Sequence, residues 1–276
     1  MKKHLTLVIA LMLGCLGLTA CSDTGDATSV PTDAATTSAP LKVGMELAYP
    51  PFETKDASGN PSGISVDLAT DLAAHLGRPV EIQNIAWDGL IPSLQSNKVD
   101  VVISSMTITE KRSEVVTFSD PYAKAYLAFL VNSSSPAATV DDLNNVDRTI
   151  AVKKGTTGET FVRANLPNAE VTALSSENAC VTEVAQGKAD AFIYDQLTIY
   201  RQNQANAETT RLLAIPDQEP ESWGAAVNQD NTALVEQINA FFTQYRADGG
   251  FERLTQKHLA AEKATFDSMG FRWFFE

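Results

Sequence analysis

The sequence predicts an α/β protein of two lobes, each a mixed, mainly parallel sheet flanked by helices. Short runs rich in Val, Ile and Ala alternate with amphipathic stretches, the pattern of strands that carry helices on their faces. The alternation begins again after residue 131, as a second lobe would. Two fragments also echo each other: "LIPSLQSNKVDVVISS" and "CVTEVAQGKADAFIYD" both run helix, tight turn, Lys, small residue, Asp, apolar strand, polar end. The echo points to a repeated architecture rather than proving a duplication.

At the start of the chain, Lys2 and Lys3 precede an apolar run from Leu5 to Ala20. That run is too short to span a bilayer but has the length of a signal-peptide apolar region, so residues 1–20 are expected to be a cleaved leader. Its end, "LTAC", resembles the lipobox of bacterial lipoproteins, in which cleavage precedes the cysteine and the thiol carries lipid. Cys21 would then open the mature chain and anchor it to a membrane. Residues 21–40 continue as "CSDTGDATSVPTDAATTSAP", which offers Val30 as its only large apolar side chain and reads as a flexible tether.

The chain has 276 residues, 44% hydrophobic and 20% charged, enough for one large or two modest domains. Its formal net charge is −13; loss of residues 1–20 removes two lysines and no acid, leaving 19 bases against 34 acids and a net charge of −15. Nucleic acid and anionic membrane surfaces are therefore poor partners. Of the three cysteines, Cys15 leaves with the leader and Cys21 is the lipidation candidate. Only Cys180 remains, so no intramolecular disulfide is expected. Its neighbours Ala179, Val181 and Val184 suggest a helix face, where a thiol packs as a small hydrophobe.

Taken in order, the predicted elements are a strand at 41–45, a helix at 66–76, a strand at 80–85, a helix at 88–96 with Asp88 as its N-cap, and a buried strand at 99–103. Thr109 reads as the N-cap of a further short helix. After "FSDPY", whose Phe118 and Tyr122 suit a hinge region and packing, come a long strand at 126–131 and the loop "NSSSPAAT". The second lobe then reads as a strand at 149–152, a helix from about 159, a strand at 170–174, a helix at 178–186 and a strand at 191–194. A strand in "WGAAV" and helices at 234–245 and 251–259 close the chain and return to the first lobe. The aromatic tail "MGFRWFFE" suggests no function.

Ligands of parallel sheets sit off the carboxyl ends of strands and against helix N-termini, and three segments reach that position. Ser104, Ser105, Thr107 and Arg112 form the first. A cation at the third position of a helix opposes the macrodipole, so Arg112 implies something negative nearby, and a guanidinium beside helix-start amides suits a carboxylate; pairing with a surface acid accounts for it equally well. The second is "KKGTTGET", Lys153 to Thr160, which offers backbone amides to an anion or simply turns from strand to helix; it lacks the spacing of a P-loop. The third is Asp195, which reads either as a carboxylate for a cation or as a helix cap. Together an anion clamp and a carboxylate complement a zwitterion such as an amino acid. Tyr49, held by Pro50 and Pro51, and Trp87 stand at strand-to-helix junctions, placed to flank a ligand or to pack in the core.

The segments "YPPFE", "SGISVDLATDLAAHLG", "WDGLIPSLQSNKVDVVISSMTITEKR", "FSDPY", "VKKGTTGETF" and "ADAFIYD" resemble, in order, the polar amino-acid-binding proteins of ABC importers, extracellular solute-binding family 3. The likeness runs from about Leu41 to Leu259. It implies a type II periplasmic-binding-protein fold, two lobes joined by two crossing strands, with residues 41–124 and 222–276 in lobe 1 and 125–221 in lobe 2. It further implies that Arg112 and the amides of Thr107 and Thr157 hold a ligand carboxylate. Asp195 and Ser105 would take the ammonium beside Ser104, and Tyr49 and Trp87 would flank the side chain. Glu46 stands where relatives with polar or cationic ligands often carry an acid, and Gly158 departs from relatives with a larger polar residue there. The implied protein is a monomeric, exported, lipid-anchored receptor at the periplasm or outer cell surface, without cofactor or metal, whose partners are an amino acid and a permease. An enzyme resembling cyclohexadienyl dehydratases, or a solute sensor, remains an alternative on the same scaffold. His75 and His258 fall in amphipathic helices away from strand ends, which argues against catalysis by either.

Overall fold

The computed structural model describes residues 38–269 and 273–275. The expected leader, Cys21 and the tether as far as residue 37 lie outside the described residues. Among the described residues no helix is long and apolar enough to cross a membrane.

The first lobe opens with β1 (Leu41–Met45), the small hairpin β2 (Thr54–Lys55) and β3 (Pro61–Ser62), α1 (Ile64–His75) and β4 (Val80–Asn84). It continues through α2 (Leu90–Gln95), β5 (Val101–Val102), α3 (Glu110–Ser113) and β6 (Thr117–Phe118). Strand β7 (Ala123–Ala125) then leads into the second lobe, made of β8 (Leu127–Asn132), β9 (Thr149–Lys153), α4 (Thr157–Asn165), β10 (Glu170–Leu174), α5 (Glu177–Ala185), β11 (Ala191–Asp195), α6 (Gln196–Ala205) and β12 (Thr210–Ala214). Strand β13 (Glu221–Trp223) leads back to β14 (Ala226–Val227), α7 (Thr232–Ala247), α8 (Gly250–His258) and α9 (Ala260–Met269).

Each lobe holds a five-stranded sheet, in the orders β4-β1-β5-β14-β6 and β10-β9-β11-β8-β12. In both, the first three strands are parallel and the fourth runs antiparallel to its neighbours. Between the lobes, β7 and β13 pair antiparallel as two crossing strands. The echo in the sequence has a physical cause. Asp100 and Asp190 occupy matching turns, and each accepts from a backbone N–H at the entry of the neighbouring parallel strand, Lys42 of β1 at 3.1 Å and Thr149 of β9 at 3.0 Å. Each also pairs with an arginine, Arg78 at 2.7 Å and Arg148 at 3.2 Å. One carboxylate thus ties the entry of the central strand to its neighbour in both lobes.

Both faces of each sheet are covered, so the central strands carry apolar side chains throughout. In lobe 1, Leu41, Val43 and Met45 of β1 pack with Leu68 and Leu72 of α1, while Val99, Val102, Leu90 and Leu94 fill the other face. In lobe 2, Phe129, Ile150, Val152 and Ile193 form one layer; Leu130, Ala151, Phe192 and Cys180 form the other. Cys180 is buried, and burial pushes its thiol up to about 12, so it packs as an inert hydrophobe.

Helix α1 begins on Gly63, whose φ of +120° L side chains rarely adopt. The bend brings the carbonyls of Pro51 and Phe52 to the first helical amides, accepting from Ile64 at 3.1 Å and Ser65 at 2.8 Å. A Cβ at Gly63 would lie 2.4 Å from the Phe52 oxygen. Gly63→Ala is therefore expected to lower unfolding free energy by about 2 kcal/mol, read from urea midpoints at unchanged slope.

Some elements differ from the sequence reading. The strand expected at 99–103 is shorter, Val101–Val102, although the N–H groups of Asp100 and Ile103 still donate to β1, at the carbonyls of Lys42 (2.9 Å) and Gly44 (3.3 Å); the whole stretch is buried apart from Asp100. Asp88 is not an N-cap: it lies within a 3-10 turn, Trp87–Gly89, that precedes α2. Helix α6 escaped detection because its buried side chains, Leu197, Thr198 and Ile199, are consecutive rather than spaced at helical period. Within the tail, Trp273 and Phe274 are core residues: the Phe274 ring packs on Phe52, Trp223 and Phe266, and its carbonyl accepts from Lys124 of β7 at 2.7 Å.

Candidate functional site

The carboxyl ends of the parallel strands of both sheets face one cleft, and the expected site residues gather there. Glu46 and Tyr49 follow β1, Trp87 follows β4, and Ser104, Ser105 and Thr107 follow β5. From the second lobe, Thr157 opens α4 after β9, and Asp195 ends β11. Together with Arg112, all nine line one cavity, whose wall is completed by Glu53, Leu127, Thr156, Gly158, Tyr194, Glu221 and Trp223. The lobes are closed on it, leaving about 40 Å³.

Thr109 caps α3 as the sequence indicates, its hydroxyl accepting from the Arg112 N–H at 3.2 Å. The cap aims the Arg112 side chain across the cleft. Its guanidinium donates to the Thr107 carbonyl at 2.7 Å and, in the other lobe, to the Gly155 carbonyl at 3.2 Å, and lies 5.2 Å from the Trp87 ring centroid. The negative group implied by a cation in this position is Glu221, which sequence reasoning missed. Its carboxylate accepts from the hydroxyls of Thr107 at 2.8 Å and Thr157 at 2.9 Å, one from each lobe. Burial raises the Glu221 pKa, and the Arg112 charge opposes that rise.

Of the two roles that the sequence left open for Asp195, the fold shows the helix cap, and it also places the carboxylate on the cavity wall. One carboxylate oxygen caps α6, accepting from the N–H of Leu197 at 3.1 Å and Thr198 at 3.0 Å; the other accepts from the Tyr49 hydroxyl of lobe 1. Tyr49 is buried with its ring against Phe52, Tyr194 and Trp223, so it packs and faces the cavity at once. Trp87 likewise crosses the cleft, donating from its indole N–H to Gly155 at 3.1 Å. At Gly155 the φ of +76° turns β9 into α4 and leaves the carbonyl free to take both Trp87 and Arg112.

Ser104 and Ser105 do not point to open solvent. Both donate at 3.2 Å to Glu53, which also accepts from Ser65 at 2.6 Å. Ser105 adopts a φ of +49°, uncommon for a side-chain-bearing residue, as the chain leaves β5. Burial pushes Glu53 up to about 8, so this carboxyl holds its proton at neutral pH. Glu177, behind Asp195, is pushed to about 7 by burial and by the Asp195 charge. Glu53 stood in the quoted "YPPFE", where an acid closing an apolar turn was the available signal. Gly158 packs with its α-carbon on Ile193, where a Cβ would lie 3.1 Å from both side chain and carbonyl, so a larger residue there needs β11 to shift.

Among the described residues no group of three or more His, Cys, Asp and Glu is arranged to hold a metal ion. The acids of the cleft are spread around its wall and engaged with hydroxyls, amides and one lysine.

Comparison with known proteins agrees with this architecture. The profile of bacterial extracellular solute-binding proteins, family 3, matches residues 41–261. A probable histidine-binding protein of Neisseria gonorrhoeae is 29% identical over 265 residues, 95% of this chain and 97% of the relative. An L-cystine-binding protein of Escherichia coli K12 is 29% identical over 224 residues, 80% of this chain and 83% of its own length. Among solved structures, an ancestral amino-acid-binding protein described as a precursor of cyclohexadienyl dehydratase superposes with a TM-score of 0.73 at 34% identity, covering 79% of this chain and 95% of its own.

Proposed function

This chain belongs to the bacterial extracellular solute-binding proteins of family 3, and from that premise we propose that it captures a polar amino acid between its lobes and delivers it to the permease of an ABC importer. The observation that carries the reading is that Arg112 of lobe 1 and Asp195 of lobe 2 face one cavity. A guanidinium and a carboxylate on opposite walls complement the two charges of an α-amino acid. In this reading Arg112, with the amides of Thr107 and Thr157, takes the carboxylate; Asp195 takes the ammonium; Tyr49 and Trp87 flank the side chain and Glu46 meets its tip. The Thr157 amide has no intrahelical acceptor because it opens α4. Ser104 and Ser105 act through Glu53, keeping a neutral wall beside the ammonium. The relatives' names, histidine-binding and cystine-binding, support a polar amino acid. Export, anchoring through lipid on Cys21, and action as a monomer complete the proposal.

Tyr49, Trp87, Arg112 and Glu221 bond across the closed cleft, so binding starts from parted lobes. In closing, the cross-cleft bonds of Tyr49, Trp87, Arg112 and Glu221 form around the solute, and a ligand touching both lobes shifts the equilibrium by its preference for the closed state. The test is a thermal-shift screen of the purified protein against the proteinogenic amino acids, ornithine, citrulline and cystine. At 100 times Kd the cognate ligand should stabilise by about 2.7 kcal/mol, and deletion of the gene should abolish its uptake. Stabilisation by none of them overturns the reading.

Glu221 gives a second expected result. Its carboxylate shares the hydroxyls of Thr107 and Thr157 beside the place assigned to the ligand carboxylate. Glu221→Gln removes a like charge that costs up to about 4 kcal/mol at contact distance and an effective dielectric near 20, so calorimetry should show binding at least about tenfold tighter.

A catalytic reading has one observation in its favour: Glu53, a carboxyl that holds a proton at neutral pH, lines the cavity of a protein similar to a dehydratase precursor. Turnover of prephenate by the purified protein would establish it; the expected result is none, since both Glu53 oxygens are engaged by three serines.

A further inference from the structure

Lys153 ends β9 with its side chain 3% exposed, and its ammonium pairs across the cleft with the Glu46 carboxylate. It also lies 5.6 Å from the ring centroid of Trp87 and 5.9 Å from that of Tyr194. The other Glu46 oxygen accepts from the Trp87 backbone N–H at 3.4 Å. Glu46, Trp87 and Tyr194 line the cavity, and Lys153 stands outside that lining, against Glu46 and the two rings. The end of the site assigned to the ligand's side-chain tip is therefore a buried plus–minus pair boxed by two aromatic rings, not a lone acid.

Such a pair discriminates by charge. A cationic tip can reach Glu46 only by displacing the Lys153 ammonium, which is then buried beside a like charge without a partner. An anionic tip pairs with Lys153 but meets Glu46. An apolar tip parts the pair and returns nothing to either member. A tip that both accepts and donates while carrying no net charge inserts between the two, accepting from Lys153 and donating to Glu46, and leaves every charge satisfied. We propose that Lys153 is a specificity-determining residue that directs the site to an α-amino acid with a dipolar, net-neutral side-chain tip. The inference rests on the receptor reading above and narrows it, removing the cationic ligands that Glu46 alone would favour. An amide, an imidazole, a ureido group and a second zwitterion share this chemistry.

The test is calorimetric titration of the wild-type protein with glutamine, histidine, citrulline and cystine, against arginine, lysine, ornithine, glutamate and leucine. At least one of the first four should bind at least tenfold tighter than any of the last five; cystine leading identifies a second zwitterion, and any of the other three an uncharged tip. Lys153→Met should then narrow the preference over arginine and lysine at least tenfold. Should that variant fail to fold, Lys153→Gln keeps a donor for Glu46 without the charge and should narrow the same preference over arginine and lysine at least tenfold. Arginine, lysine, ornithine, glutamate or leucine binding best to the wild type overturns this inference and leaves the receptor reading standing. A preference unmoved by the folded variant also overturns it. Binding of no amino acid at all defeats the receptor reading itself.

Discussion

Arg112→Ala should weaken amino-acid binding by about 100- to 1,000-fold while leaving the melting temperature of the ligand-free protein nearly unchanged. The loss is large because the guanidinium is pre-positioned: the Thr107 carbonyl holds one nitrogen at 2.7 Å, the Gly155 carbonyl holds the other at 3.2 Å, and the Trp87 ring lies beneath. Truncating one partner of a desolvated, hydrogen-bonded charge pair costs about 3–5 kcal/mol, since the ligand carboxylate then enters the cleft without its counter-charge. Folding stability responds differently. Arg112 is only partly buried, sits in a four-residue helix and opposes that helix's dipole, so its removal relieves as much as it loses. Arg112→Lys separates charge from geometry: it keeps the cation but loses the planar fork, and should recover no more than about a tenth of the lost affinity. Calorimetry on the three proteins with the best wild-type ligand decides the matter, and an affinity within threefold of wild type for Arg112→Ala removes the clamp from this site.

Arg112 was legible in the sequence because it is a local anomaly, a cation where a short helix prefers an acid, and because its cap, Thr109, lies three residues away. The lobes were legible for a similar reason: the alternation of strand and helix, and the Asp100 and Asp190 turns, are patterns within a few tens of residues. What stayed hidden is the chemistry that joins distant segments. Thr107 and Glu221 are 114 residues apart, Tyr49 and Asp195 146, Glu46 and Lys153 107. No periodicity encodes those meetings; they arise only when β7 and β13 cross and bring the two sheets' carboxyl ends together. Lys153 therefore read as part of an anion-binding turn, and its pairing with Glu46 changed what that acid implies about the ligand. Asp195 read either as a cap or as a site acid; the fold shows the cap on one oxygen and, on the other, the Tyr49 hydroxyl from across the cleft, a partner 146 residues away that no local pattern announces.

The stability of the protein should fall as pH rises from about 4.5 to 8, and Glu53→Gln should remove about one proton's worth of that slope. Burial lifts Glu53 from its ordinary value near 4.5 to about 8, with the hydroxyls of Ser65, Ser105 and Ser104 and the Lys153 charge offsetting part of the rise. Between those two values the folded chain keeps a proton that the unfolded chain has released. Folding then takes up a proton, and unfolding free energy declines with pH by about 1.4 kcal/mol per unit for this group. Its contribution is fully present below pH 4.5, is lost as pH rises through 8, and is constant above. Over the whole window the loss reaches about 4–5 kcal/mol, a large share of a typical domain's stability. Glu177, lifted to about 7, adds a parallel decline that ends about one unit earlier and persists in the variant. Glutamine at 53 keeps the shape and an acceptor oxygen for the serine hydroxyls but cannot ionise. Urea denaturation at pH 5, 6, 7 and 8 on both proteins should give curves that diverge steadily, the variant gaining relative to wild type with each step. Parallel curves would mean that Glu53 is ionised in the fold, placing an uncompensated negative charge beside Ser104 and Ser105. The wall next to the ligand ammonium would then attract it directly, and Asp195 would no longer be the sole anion assigned to that end of the solute.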